Sequence, residues 1–380
     1  MDLIVFGDIE KDKCISSLLE RDSITLLRSM VEFAENEGVS DNCIREYVAS
    51  FLANDENIAS SILQSGGKIG NDLMRLIKSD IASIYKSIFS KQTIKYTPSG
   101  NLTGFCDEYI ASIRAIVASE TAQELTDRLL DHYKTLGCGV TAKYIAFKYD
   151  GVLEGVSDVD KITFKSLIGI DRQRDLLIEN TKAFIDGKPS NNVLLFGDRG
   201  CGKSSSVKAL LNEFAKDGLR LIELPKAYIK DIPKLSKLLS KKPHKYIIFL
   251  DDLSFETHES EYRALKIAME GQLQANPSNV IIYATSNRRH IIRETWADRD
   301  GGEIHRNDQI QETMSLAERF GLSIVFSSPS QKEYIEIVEA MLKEKGMQLT
   351  PELETAAKQW QMKYGGRNGR CAKQFIASLA

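Results

Sequence analysis

Between about residues 20 and 150 the apolar positions recur every three or four residues, the period of a helix with one buried face. The stretches 23–35 and 71–89 show it most plainly. Thr121-Ala-Gln-Glu124 reads as a capping box, opening a helix that runs through Tyr133 and stops near Gly137. Residues 151–160 are rich in Gly, Val and Asp and carry no helical stripe, so the boundary of a first domain is expected there. From Ile168 short apolar runs at 193–196, 219–224, 246–250, 280–284 and 323–326 alternate with amphipathic stretches. That alternation predicts a parallel sheet covered by helices on both faces. Three of the runs bring a polar residue to their carboxyl end, where open α/β sheets bind ligands. After Pro329 the helical pattern returns, with a second capping box at Ser330-Gln-Lys-Glu333, a stop at Gly346, a cap and first-turn proline at Thr350-Pro351, and a last helix from near Arg370. The expected organisation is an all-α accessory or docking domain over residues 1–155, an αβα core over 161–328 and a small helical lid over 329–380.

Composition changes this picture little. Hydrophobic residues at 42% and charged residues at 27% are ordinary for a globular chain. No apolar stretch approaches the ~18–20 residues of a membrane span, and the apolar run in the opening MDLIVFGDIEKDK is too short for a signal peptide. A cytoplasmic location is therefore expected. The six cysteines (14, 43, 106, 138, 201 and 371) form no C-x-x-C and have no His at metal spacing, so they read as reduced packing thiols. The net charge of −3 hides an asymmetry: residues 1–160 carry 16 Lys and Arg against 25 Asp and Glu, whereas the remaining 220 carry a balance of +6. An acidic front half is not a nucleic-acid arm, and the small positive excess behind it does not by itself imply DNA.

Candidate chemistry is concentrated at one place. Residues 191–216 read as an apolar strand, a glycine-rich loop and a helix, and the loop fits G-x-x-x-x-G-K-[ST] with Gly197, Gly202, Lys203 and Ser204 in the defined places. Glycines let the backbone curl so that its N–H groups face phosphate oxygens, and the positive end of the following helix adds to that field. The intervening Asp198, Arg199, Gly200 and Cys201, with Ser205 behind, complete the phosphate-binding stretch. Lys203 is expected at the β- and γ-phosphates and the Ser204 hydroxyl on Mg²⁺. The chain therefore binds ATP or GTP.

About fifty residues on, an apolar run ends in Asp251-Asp252. Asp251 is the expected Mg²⁺ partner, directly or through water, and Asp252 stands where a base or water-positioning group is needed. Asn287, at the end of the 280–286 run, is either a turn former or a holder of the attacking water. Arg288, Arg289 and His290 follow, read chiefly as a solvated basic turn. Arg319 and Arg370 carry the planar, always-charged fork that suits a transferring phosphate, with Arg367 the weaker candidate beside Arg370.

Together these pieces resemble the AAA+ ATPases. Residues 197–204 correspond to Walker A, 246–252 to Walker B, Asn287 to sensor 1, Arg319 to the arginine finger and Arg370 to sensor 2, over about residues 161–380. More narrowly, NNVLLFGDRGCGKSS, LDDLSFE, IIYATSNRRH and LAERFGL look like the bacterial AAA+ family known as domain of unknown function 815. The resemblance implies an α/β P-loop core with a five-stranded parallel sheet ordered 5-1-4-3-2, a C-terminal helical lid, and ring or filament assembly of identical subunits. It also implies adenine over guanine, with Ile168 and Gly169 near the base. Two departures matter. Many AAA+ motors end Walker B in Asp-Glu, and the shorter Asp252 suggests slow hydrolysis. Unfoldases present an aromatic-glycine pair after their second strand, whereas this chain has Pro225-Lys-Ala-Tyr228-Ile-Lys.

Three readings follow. The first is an ATPase using Mg²⁺ to hydrolyse ATP, with Lys203, Asp252, Asn287 and Arg319 as catalytic residues and a nucleotide-driven rearrangement that remodels a protein partner. The second is a slow, nucleotide-switched assembly or loader module. The third, nucleic-acid remodelling, rests on Arg288, Arg289 and the charged stretch 293–306; Trp296 within that stretch is read as one buried aromatic in an exposed loop, the alternative being a partner-docking residue. A small-molecule kinase leaves Asn287, Arg319 and Arg370 unexplained.

Overall fold

The computed structural model describes residues 3–20, 22–37, 42–90, 94–99, 104–253, 255–256, 260–270, 277–287, 292–293, 319–364 and 366–379. Arg288, Arg289, His290 and Trp296 lie outside these residues. The chain forms two compact units. The first comprises Met1–Ala146, Leu153–Asp158 and Ser240–His244; the second comprises Phe147–Val152, Val159–Leu239 and Lys245–Ala380. Among the described residues no helix is long and apolar enough to cross a membrane.

The first unit is built on helices whose apolar stripes meet in one core that includes Phe6, Ile44, Leu52, Ile81, Leu125 and Leu129. Helix Ser23–Glu37 turns Leu26, Met30 and Ala34 inward at a spacing of four. Helix Asn71–Ile84 continues into a π-helical turn, Tyr85–Phe89. Helix Ala122–Thr135 begins where its cap was expected, and the Thr121 side chain accepts from the Glu124 N–H. The other half of the box differs. Glu124 Oε2 accepts from the N–H of Glu120 at 2.9 Å, one residue ahead of the cap. The all-α expectation for residues 1–155 ends at Lys143, because two strands follow: β1 (Ala146–Tyr149) and β2 (Leu153–Gly155). Only Lys148 of β1 is exposed while its neighbours are buried, and Gly151 at φ 104° turns the chain between the strands. Four and three residues are too few to raise a periodic signal.

The second unit, which also holds β1 from Phe147 onward, carries β3 (Val193–Gly197), β4 (Leu219–Glu223), β5 (Lys245–Leu250), β6 (Phe255–Glu256), β7 (Val280–Ser286), β8 (Ile292–Arg293) and β9 (Leu322–Phe326). The main sheet has seven strands, where five were expected, in the order β2-β1-β4-β5-β7-β3-β9. The extra pair is the unforeseen β1–β2 hairpin. The neighbours β4–β5, β5–β7, β7–β3 and β3–β9 are all parallel, and the short pair β6–β8 stands apart. The central strands read as continuous apolar runs because both faces are covered. Three helices close the chain: Gln331–Glu344, Pro351–Tyr364 and Gly369–Ala377. Their core gathers Tyr334, Val338, Leu342, Ala357, Ala372 and Phe375. Ser330 and Glu333 form a complete capping box.

Candidate nucleotide-binding site

Parallel pairing puts the carboxyl ends of β3, β5 and β7 along one edge of the sheet, and the candidate residues collect there. Gly197, Gly200 and Gly202 adopt φ 134°, 77° and 93°. At Gly197 a Cβ would lie 1.9 Å from the Phe326 carbonyl oxygen, so only glycine lets β3 leave the sheet beside β9. Gly202 caps helix Lys203–Phe214 without a side-chain bond, so the cap supplies no side-chain acceptor to the first-turn amides. Asp198 fixes the start of the loop. Its Oδ2 accepts from the N–H and hydroxyl of Ser328 at 2.9 and 2.7 Å.

Lys203 reaches back across this loop. Its Nζ donates to the carbonyls of Gly197 (2.9 Å) and Asp198 (2.7 Å) and to Asn287 Oδ1 (2.9 Å). Asn287 in turn donates from Nδ2 to Asp252 Oδ1 at 2.5 Å. The amide orientation follows from charge, its oxygen toward the cation and its NH₂ toward the carboxylate. Burial pushes the Lys203 ammonium below its ordinary range, against the opposing pull of Cys201, Asp198, Asp252 and Asp251. Nearby, Ser204 Oγ donates to Asp251 Oδ1 at 2.6 Å. The pair fits a magnesium ion in donor chemistry: two adjacent hard oxygens, with Asp251 exposed to the water that Mg²⁺ retains.

Cys201 is buried, and burial pushes its thiol up. Arg199 is exposed and Ser205 half-buried on the loop and first helical turn. The last helix abuts the loop directly. The Gly369 N–H donates to the Gly200 carbonyl at 3.1 Å, and a Cβ on Gly200 would lie 2.7 Å from Asn368 Oδ1 and 3.3 Å from Arg370 Cβ. Arg370 thus starts from the loop's rim, whereas Arg367 is an exposed residue ahead of that helix. Ile168 packs against the core of the three C-terminal helices, and Gly169, at φ 77°, faces Glu333.

Arg319 is not brought to this cluster. It precedes β9, whose Leu322 pairs with Val193 at the amino end of β3, while Gly197 at the other end pairs with Phe326. A Cβ on Gly321 would lie 2.6 Å from Asn191 Oδ1, which fixes that segment ahead of β3. Arg319 thus lies beyond the amino end of β9, and the four strand residues from there to the loop end of β3 span about 13 Å. Three polar residues at the site have no place in the motif reading: Ser328, Asn368 and Thr285. Thr285 carried a signal of its own, a hydroxyl at the end of an apolar strand, two residues before Asn287.

Residues 142–380 match the family described as "Protein of unknown function (DUF815)". The chain is similar, at 25% identity over 221 residues, to "Probable inactive ATP-dependent zinc metalloprotease FTSHI 1, chloroplastic" of Arabidopsis thaliana, over 51% of this chain and 22% of that protein. It thus spans about a fifth of the length of that curated relative. Two solved structures are similar to it. One is "Crystal structure of FIGL-1 AAA domain in complex with ADP" (16% identity, TM-score 0.39, 58% of this chain and 75% of that one). The other is the Aeropyrum pernix ORC1 protein in complex with DNA (17% identity, TM-score 0.39, 54% of this chain and 58% of that one).

Proposed function

The chain belongs to the DUF815 family of proteins of unknown function, and from that footing we propose that it is an AAA+ ATPase, binding ATP with Mg²⁺ at the glycine loop and hydrolysing it to ADP and phosphate. The observation that carries the reading is the hydrogen-bonded chain Lys203–Asn287–Asp252 beside the Ser204–Asp251 pair. Residues from three strand ends, far apart in sequence, meet there, and that convergence supports a site for phosphoryl transfer to water.

Lys203, relieved of its carbonyl partners, neutralises β- and γ-phosphate charge together with the loop amides. Ser204 and Asp251 hold Mg²⁺, which when bound supplies further neutralisation of the phosphate oxygens. Asp252 accepts a hydrogen bond from the attacking water, and Asn287 holds that carboxylate in place. As water oxygen bonds to the γ-phosphorus, the bond to the ADP oxygen breaks and the water's proton passes to Asp252 or to the departing phosphate. Arg319, on the far edge of its own sheet, completes the site of a neighbouring subunit. Arg370, on the helix that abuts Gly200, couples the angle of a C-terminal lid to the γ-phosphate. The output is a rearrangement of lid and subunit packing that acts on a partner, docked through the helical front half. Adenine selection is carried over from the family resemblance.

A second reading has one observation in its favour. Asp252 is short and already tied to Asn287, which suits a slow switch in which ATP binding, and not turnover, is the output. A polypeptide-threading motor is disfavoured, since the ring of Tyr228 packs edge-on against Tyr149 at 5.8 Å and has no glycine beside it.

Steady-state phosphate release from Mg·ATP, measured as protein concentration rises with Lys203→Ala as blank, tests the reading. Specific activity that climbs with concentration is expected. Activity at the blank's level with ATP still bound favours the switch, for which turnover falls below about one per minute against an enzyme median near ~10 s⁻¹. Absence of ATP binding overturns both readings.

A further inference from the structure

The end of β7 grips the turn that follows β5, and Thr285 makes most of that grip. The residue is 1% exposed. Its Oγ1 donates to Asp251 Oδ1 at 2.5 Å and accepts from the Asp252 N–H at 2.9 Å. Its carbonyl accepts from the Leu253 N–H at 2.7 Å, and the next residue, Ser286, donates from Oγ to the Leu253 carbonyl at 2.9 Å. One side chain therefore touches both carboxylate residues of the site.

Two consequences point beyond simple packing. Asp252 has φ 51° and is the one non-glycine residue with positive φ among the described residues. Such strain persists only where the surroundings over-determine it. Here the Asp252 N–H is held by Thr285 Oγ1 and Asp251 Oδ1, and the carboxylate by Asn287. Secondly, the bonds to Asp251 from Ser204, Thr285 and Asp252 all fall on Oδ1. That crowding orients Oδ2 as the oxygen offered to a cation. A hydroxyl is the right group because it donates once and accepts at the same time.

We propose that Thr285 is a positioning residue for this site: it sets which oxygen of Asp251 serves the magnesium ion and holds Asp252 in its strained, water-facing conformation. The proposal rests on the ATPase reading above. Valine matches threonine in shape and lacks the hydroxyl; serine keeps the hydroxyl.

The test uses the full chain with Thr285→Val and Thr285→Ser. ATP binding is measured calorimetrically in EDTA and in saturating Mg²⁺, alongside phosphate release and thermal melting. In Thr285→Val, Mg²⁺-free affinity stays within about twofold, the strengthening by Mg²⁺ falls about 10–100-fold, and kcat falls similarly with KM little changed. Thr285→Ser restores both. Should the valine variant not fold, Thr285→Ala is read in the same two assays. A hydroxyl-free variant with wild-type Mg²⁺ strengthening and kcat overturns the proposal and leaves the ATPase reading standing. So does a serine variant as impaired as valine, since shape and not the hydroxyl then matters. Wild-type protein whose ATP binding ignores Mg²⁺ removes the ATPase reading, and this inference with it.

Discussion

Lys203 is only 6% exposed and spends its three donors on two main-chain carbonyls and the Asn287 amide. An anion arriving at the loop relieves a charge already held at the expense of its hydration, which is why the lysine's place matters more than its mere presence. Asp252 is the sharper residue to change. Asparagine tolerates the left-handed backbone, so Asp252→Asn keeps the fold while removing the carboxylate that the proposed ATPase reading makes the proton acceptor. Turnover is expected to drop at least about 100-fold with the melting temperature almost unchanged, read by phosphate release and calorimetry. In the helical unit, burial pushes His132 down to about 4, and its Nδ1 shares a hydrogen bond with Ser112 Oγ at 2.8 Å. The folded pKa lies below the unfolded value of about 6.5, so the unfolded chain binds more protons below that pH. This contribution is fully present above pH 6.5 and lost as pH falls toward 4. Urea titrations should show about 2 kcal/mol less stability at pH 5 than at pH 7, and His132→Leu should flatten that difference.

At the scale of elements, two backbone contacts hold segments in place. Asp80 is 2% exposed, and its Oδ2 accepts from the N–H groups of Ile4, Val5 and Phe6 at 2.9, 2.6 and 3.2 Å. That carboxylate ties the chain's opening segment to helix Asn71–Ile84 and seats Phe6 in the core. Asp80→Ala should cost about 1–3 kcal/mol by urea denaturation, with faster amide exchange at Phe6. The Gly200–Gly369 bond joins the glycine-rich loop to the last helix. Gly200→Ala meets both a positive φ and the Asn368 side chain, and should destabilise the second unit by about 1–2 kcal/mol, seen as a lower denaturation midpoint. Most elements were legible beforehand because their signals are local. Continuous apolar runs gave β3, β4, β5, β7 and β9, and Ser330 and Thr350-Pro351 marked helix starts. The β1–β2 hairpin was not legible, because strands this short acquire their identity from the sheet they join.

For the whole molecule, the position of Arg319 at the amino edge of β9 makes assembly the central question. Arg319→Ala alone should lower turnover by about 10³-fold, the lower range for an arginine finger. Mixed with Lys203→Ala, which keeps Arg319 but cannot use ATP, it should regain phosphate release that neither variant shows alone. Failure of the mixture to recover places the arginine's role within its own subunit. Long-range organisation also holds one surprise. Residues Ser240–His244, which join helix Ile232–Leu239 to β5, belong to the helical unit. There the Lys242 side chain, 8% exposed, donates to Glu56 Oε1 (3.1 Å), Gln64 Oε1 (3.1 Å) and the Cys138 carbonyl (3.2 Å).

The sequence by itself determined the glycine-rich loop, the strand ends that carry Asp251 and Asn287, and the caps of the closing helices. Each depends on residues near one another in the chain: glycines for a curled backbone, an apolar run for a buried strand, a hydroxyl or amide at a helix start. Only the tertiary structure decided that Asn287 links Lys203 to Asp252, that Thr285 serves both aspartates, and that Lys242 is buried among Glu56, Gln64 and Cys138. Those contacts join residues tens to more than a hundred positions apart. A single sequence fixes no distance across such intervals until parallel pairing and packing bring the strand ends and loops together.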